Sequence, residues 1–252
     1  YNTDGTFKRV IRMTLDNQFN YTRSIVEGLE DEWLSQSRGY STYNSIYGEV
    51  KIPWIQGLKY RFTLGLDFMQ DNNGSFTAQG VGSDNPTTIS TASISNYHNY
   101  HWNVQNLLSY DHMFAGKHRV NAVALYEADQ FTSFNSGTAA KGIPSDAFQF
   151  YSLGQSLGEI TTNPGGYAQN GLISYMGRVM YEYDNRYMLT ATVRADASSR
   201  LAEGHKWHTY PAISLGWNMT NEKFMQGVQW VSFLKPRIGY GQTSNQAIDP
   251  YQ

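Results

Sequence analysis

The residues best able to do chemistry in this chain are its histidines: His98, His101, His112, His118, His205 and His208. Two pairs, in HNYH (98–101) and HKWH (205–208), stand three residues apart. On a strand that spacing sends the two rings to opposite faces. They therefore read as loop or lumen side chains, not as paired metal ligands. Serine, histidine and aspartate are abundant, but no G-x-S-x-G elbow positions a nucleophile. DNNG at 71–74 lacks the later ligand positions of a calcium loop. GYGQ at 239–242 is too short to cradle a nucleotide, and its glycines suit close backbone packing. The motifs support no enzyme, no metal and no cofactor. What remains is a set of charges alternating with apolar residues: Arg178, Glu182, Arg194, Asp196, Lys235 and Arg237. Charges on a covered face need partners, so the first reading is that they pair with one another. The second is contact with a passing solute. Arg178, Arg194, Asp196 and Arg237 are then candidate substrate contacts in a lumen, with Trp207 and Tyr167 as loop aromatics able to stack on sugars.

The elements that carry these charges announce themselves by period. In GLKYRFTLGLDFMQ (57–70), Leu58, Tyr60, Phe62, Leu64, Leu66 and Phe68 are all even, with Lys59, Arg61, Thr63, Gly65 and Asp67 between them. That is a strand with one greasy and one wet face. The same parity runs through Ile46, Val50, Ile52 and Trp54, through Trp102, Val104, Leu108 and Tyr110, and through Val120, Ala122, Ala124 and Tyr126. It becomes odd in Tyr175, Val179, Tyr181 and Tyr183, then in Tyr187, Leu189, Ala191, Val193 and Ala195. A three-residue turn at 184–186 pairs Tyr183 with Tyr187, Tyr181 with Leu189 and Val179 with Ala191. Pro211, Ile213, Leu215, Trp217 and Met219 follow, and then Leu234, Pro236, Ile238 and Tyr240. The earliest case, Phe7 to Tyr21, is interrupted by Arg9. About ten strands are predicted, of the length a tilted transmembrane strand needs.

Short links near 16–18, 53–57, 111–117 and 184–186, and a middling one at 220–233, alternate with long stretches at 27–40, 71–97, 132–170 and 197–209. Tight turns at one end and long loops at the other are the build of an outer-membrane barrel. Aromatic residues gather at strand ends, at Trp54, Tyr110, Phe114, Tyr181, Tyr183 and Tyr187, where an interfacial girdle belongs. Composition agrees. Of 252 residues only 16% are charged, against roughly 25% in ordinary soluble domains. Nineteen Tyr, 12 Phe and 6 Trp make the chain aromatic-rich. The absence of cysteine excludes a disulfide framework, and a net charge of -2 leaves no basic footprint for nucleic acid. No run reaches the ~20 apolar residues of a spanning helix. Two readings follow: a barrel whose greasy face meets lipid, or a soluble or surface-exposed β-rich glycan-binding module.

Longer stretches carry a resemblance. GRVMYEYDNRY (177–187), RADASSRL (194–201), WHTYPAISLGW (207–217) and LKPRIGYGQTSN (234–245) resemble the barrel of SusC/RagA-type TonB-dependent transporters. IPWIQGLKY (52–60) and the GIPSDAFQFYSLG region are similar as well. Departures are Ala197, Leu201, Pro236 and Ser244, with Pro236 implying a lost ladder bond inside a strand. The resemblance implies an all-β fold, part of a large antiparallel transmembrane barrel of roughly 22 strands, with the plug domain and the TonB-contacting segment outside 1–252. It implies a place in the outer membrane and active import of oligosaccharides or other large nutrients, peptides included. It also implies two partners, a SusD-like surface lipoprotein and the TonB complex. The chain opens on Tyr1 without a leader, which reads as a processed precursor or an internal piece. Since an open sheet edge in lipid is costly, a piece of a larger barrel is the expectation.

Overall fold

The computed structural model describes residues 10–11, 21–22, 32–81, 87–228 and 230–243. The expected first strand over 7–21 lies mostly outside the described residues, as do 27–31, 82–86 and Ser244 with Asn245. What is described there is a two-residue antiparallel pair, β1 (Val10–Ile11) with β2 (Tyr21–Thr22). The remaining strands are β3 (Trp33–Lys51), β4 (Leu58–Thr77), β5 (Thr91–Phe114), β6 (His118–Lys141), β7 (Ile160–Tyr183), β8 (Tyr187–Ser198), β9 (Trp207–Trp217) and β10 (Arg237–Gly241). They form one eight-stranded sheet in strict sequence order, β10-β9-β8-β7-β6-β5-β4-β3. Each strand pairs with its chain neighbour, as an up-and-down wall requires.

The register follows the parity of the apolar residues. Tyr183 pairs with Tyr187, Tyr181 with Leu189 and Val179 with Ala191, as predicted. The ladder then passes Leu189 to Leu215 and Ala191 to Ile213, and onward to Ile238 and Tyr240. One face thus keeps its apolar residues across four strands. The 184–186 turn makes this possible, because Asp184 and Asn185 take left-handed conformations at φ 51 and 54 that these two residue types tolerate. Gly57 permits a close approach of another kind: at φ 91, an added Cβ would lie 2.1 Å from the Asp111 carbonyl oxygen.

Two expectations are corrected. The strands run well into the stretches read as loops: β4 continues to Thr77 and β5 begins at Thr91, and the other connections narrow to 142–159 and 199–206. β5, β6 and β7 are 24 residues each, far more than the roughly 9–11 that cross a bilayer. Their ends carry Gly, Ser and Asn on a ladder that continues past the hydrocarbon. Pro236 is not inside a strand either. It sits just before β10, where the missing N–H costs nothing, and its carbonyl accepts the Trp217 N–H at 3.0 Å.

The strands contribute to two compact units: residues 1–42, 68–99 and 133–167 in the first, and 43–67, 100–132 and 168–252 in the second. In the first, Phe76, Ala78, Ala92, Ala140, Ile143 and Leu153 form a small buried cluster flanked by Leu34, Ile94, Phe148 and Phe150. The 142–159 connection closes over it, pinned by Gly142 N–H to Ser90 O at 2.8 Å and by Ile143 N–H to Ser90 Oγ at 2.8 Å. The second unit has its large apolar side chains in the open. Val193 is 50% exposed, Ile213 52% and Ile238 73%, all on the face set by the register.

Candidate functional site

The face opposite those apolar residues carries the charges, and within the second unit it is a connected network. Arg194 on β8 donates from Nε to both oxygens of Asp196, at 2.8 and 3.0 Å. Its Nη2 donates to Ser174 Oγ on β7 at 2.9 Å. The same nitrogen lies 3.9 Å from Glu127 Oε2 on β6. Glu127 Oε1 in turn accepts from Asn103 Nδ2 at 2.9 Å and from Gln105 Nε2 at 2.8 Å on β5. Four adjacent strands are thereby tied by side chains as well as by their ladder. Asp196 and Ser174 are buried, so removing the guanidinium would strand a covered carboxylate.

A second group continues the same face. His101 on β5 places Nδ1 3.0 Å from Asp67 Oδ2 and Nε2 2.5 Å from Asp129 Oδ2. Both ring nitrogens face carboxylates, a geometry that suits the doubly protonated ring, in which both are donors. No cluster of three or more His, Asp or Glu among the described residues has the arrangement to hold a metal ion.

Of the sequence candidates, the fold brings Arg194 and Asp196 into direct contact and leaves the others apart. Arg178 donates to Thr192 Oγ1 at 3.3 Å, across the β7–β8 pair. Arg237 lies with Lys235 beside Gly216, toward the β10 edge. Trp207 pairs with Ala197 and stacks on Tyr175 at 5.9 Å with a 22° interplanar angle, which puts it on the apolar face. Tyr167 is exposed on β7 in the other unit. Sequence reasoning missed Glu127, Asn103, Gln105, His101, Asp67 and Asp129 as network members. The signal was present, since each has the odd parity that faces away from the even apolar residues of β4–β6.

At the turn end of the second unit, the apolar face ends in a ladder of rings. Tyr183 and Tyr187 stack at 6.4 Å, Tyr187 and Trp217 at 6.4 Å, and Phe224 meets Trp217 edge-on at 6.2 Å. Their polar tips converge on Glu222, whose Oε1 accepts from Tyr187 OH at 2.7 Å and from Trp217 Nε1 at 3.1 Å. Arg186 Nη1 is 3.5 Å from its other oxygen. The Tyr187 hydroxyl first, then the Trp217 N–H, hold the Glu222 carboxyl below the usual carboxylate range. Rings with an apolar body and a satisfied polar tip are what a membrane interface selects.

An in-order antiparallel wall, apolar and open on one side, polar and networked on the other, with an aromatic ladder at its turns, defines a transmembrane β-barrel segment. Comparison with known proteins agrees. The chain is 29% identical over 216 residues to TonB-dependent receptor P26 of Formosa agariphila, a match spanning 83% of this chain and 21% of that protein. It is 44% identical over 80 residues to TonB-dependent receptor SusC of Bacteroides thetaiotaomicron, covering 32% of this chain and 8% of SusC. In fold it matches the RagAB peptide importer in its open-open state with a TM-score of 0.83 at 20% identity, over 99% of this chain and 27% of the importer chain. No family profile matches. In sequence the chain is similar to TonB-dependent receptors, SusC among them, and in fold to the RagAB importer; it is a barrel segment of an outer-membrane protein. It spans about a fifth of the length of the Formosa relative.

Proposed function

We propose that this wall belongs to an active importer of large polar nutrients, oligosaccharides or oligopeptides, driven by TonB and served by a SusD-like surface lipoprotein that closes over the outer mouth. The observation that carries the reading is the division of the sheet into an open apolar face and a polar face on which Arg194, Asp196, Glu127, His101, Asp67 and Asp129 are tied to one another. Paired charges suit a conduit. Arg194, Asp196 and Glu127 hold one another, so the guanidinium is already occupied and the group offers hydrogen-bonding oxygens to a moving solute rather than a free cation to trap it. No bond is made or broken along the way; the wall supplies a path, and the energy comes from TonB acting outside this chain. RagAB, of similar fold, is named a peptide importer, and SusC is 44% identical over 80 residues; oligopeptides and oligosaccharides both enter the test.

The test is uptake by intact cells. Deleting the complete transporter, or disabling TonB, should abolish growth on one polymeric nutrient while sparing its monomer. A lipoprotein should co-purify with the transporter in detergent. Growth unchanged on every oligosaccharide and oligopeptide supplied would overturn the reading. The same cells fix orientation. A cysteine at Ala202 or Leu157 should react with an impermeant maleimide, and one at Asn185 only after the outer membrane is opened. Labelling of Asn185 alone on intact cells would invert the topology.

A further inference from the structure

The longest interruption in the second unit is the connection between β9 and β10, residues 218–236, which by antiparallel alternation lies at the same end as the tight turns 115–117 and 184–186. It is not a free loop. Asn218 N–H donates to Arg186 O at 2.7 Å, and the side chains of Asn218 and Asn221 both donate to Asn185 O, at 3.2 and 3.0 Å. Its far end is tied to its start by Met219 N–H to Leu234 O at 3.0 Å and by Leu234 N–H to Thr220 Oγ1 at 2.6 Å. Two 3₁₀ turns, Met219–Asn221 and Lys223–Met225, occupy its first half. The connection is thus held at the level of the 184–186 turn, where the Tyr183–Tyr187–Trp217 ladder ends.

This pinned segment leaves its aromatic side chains uncovered. Phe224 is 59% exposed, Phe233 64% and Trp230 87%. Three large rings in the open on a hydrogen-bonded segment are costly in water. Phe224 already extends the ladder through its edge contact with Trp217, so the segment starts out on the surface that faces lipid. Lys223 stands next to Phe224 in sequence and is able to reach headgroups from an interfacial position. We propose that residues 218–236 are an interfacial anchor: Phe224, Trp230 and Phe233 seat in the headgroup region of the adjoining leaflet and fix the depth of the wall at its turn end. The occupant is phospholipid, selected by ring chemistry and by continuity with the belt.

The proposal rests on the barrel reading above, and the test separates the two. Single nitroxide labels are placed through cysteine at Trp230, Phe233, Val193 and Asn185 in the complete, otherwise cysteine-free transporter, reconstituted in phosphatidylethanolamine–phosphatidylglycerol vesicles. Heat-modifiable gel mobility confirms that each variant is folded. Collision with oxygen, which partitions into lipid, is compared with collision with a water-soluble nickel chelate. The expected result is an oxygen-to-nickel ratio severalfold higher at Trp230 and Phe233 than at Asn185, and lower than at Val193. Ratios at Trp230 and Phe233 equal to that at Asn185 would place the segment in water and overturn the anchor. So would labels screened from both reagents, which would mean that protein covers the rings. A water-like ratio at Val193 would instead overturn the barrel reading itself.

Discussion

On β4, the even residues Leu58 and Phe62 and the even residue Phe76 obey one alternation, yet they meet opposite fates. In the first compact unit Phe76 is fully covered, packed with Ala92, Ala140 and Leu153 beneath the 142–159 connection. In the second, Phe62, Val193, Leu215 and Ile238 have no protein over them. Alternation tells which face is apolar but not what covers it. The first unit supplies its own cover, a connection clamped by the Ser90 hydrogen bonds. The second offers nothing from the chain, and its aromatic ladder with satisfied polar tips marks the surface as one that lipid completes. A core and a membrane belt are drawn from the same strands.

Substitutions in the complete protein should separate the covered cluster from the open face. The largest effect is expected in the first unit, where Phe76→Ala removes a ring from a closed cluster, a change of about 3–5 kcal/mol in packed cores. The loss should be equal in detergent and in lipid, read as faster proteolysis within 142–159. Sensitivity only in lipid would mean that Phe76 belongs to the belt after all. Gly74→Ala should act in the same place by a different route. An added Cβ would lie 2.4 Å from the Phe150 ring, so the ring must move, at a cost of about 1–3 kcal/mol for overpacking. Adding Phe150→Ala to Gly74→Ala should relieve the strain; a double variant no better than the single would show that the clash is not with that ring.

The second unit responds to pH through Glu222. Its folded carboxyl is held below the ordinary carboxylate range by Tyr187 and Trp217. Its stabilising contribution is therefore complete above the unfolded value, and is lost as pH falls through the folded one. Acidification should lower the temperature of the heat-modifiable shift, and Glu222→Gln should flatten that dependence. An unchanged slope in Glu222→Gln would assign the acid sensitivity elsewhere. The smallest effect is expected at Lys141–Glu159, an open ion pair at 3.0 Å. Breaking it with Lys141→Ala should leave stability close to that of the parent, as is usual for solvent-screened surface pairs, measured by the same proteolysis; a loss as large as that from Phe76→Ala would make the 142–159 cover electrostatic.

Much of the second unit was legible in the sequence. The odd apolar run on either side of 184–186 fixed the Tyr183–Tyr187 register, because one face must stay apolar and Asp184 and Asn185 accept left-handed turns. Less could be read where both faces are polar. The ends of β5 to β7 carry Ser, Asn and Gly on a ladder, and composition alone reads such stretches as loop. The cover over Phe76 was hidden for another reason: Phe148 and Phe150 stand far in sequence from their partner, and only the closed connection brings them together. The Arg194–Glu127–Asn103 chain shares this difficulty. Its parity was visible, but contact across four strands depends on registers that no single strand records.

The claim that lipid covers the apolar face of the second unit is tested most directly by two neighbouring arginines. Val193 and Thr192 are adjacent on β8 and face opposite sides of the sheet, Val193 opposite Pro211 and Thr192 opposite Ala212. In vesicles, Val193→Arg should destabilise the complete barrel by about 2–4 kcal/mol, as arginine does on the lipid face near mid-bilayer, while Thr192→Arg should leave the unfolding transition close to that of the parent. Equal losses from the two, or a greater loss from Thr192→Arg, would contradict the assignment of the faces.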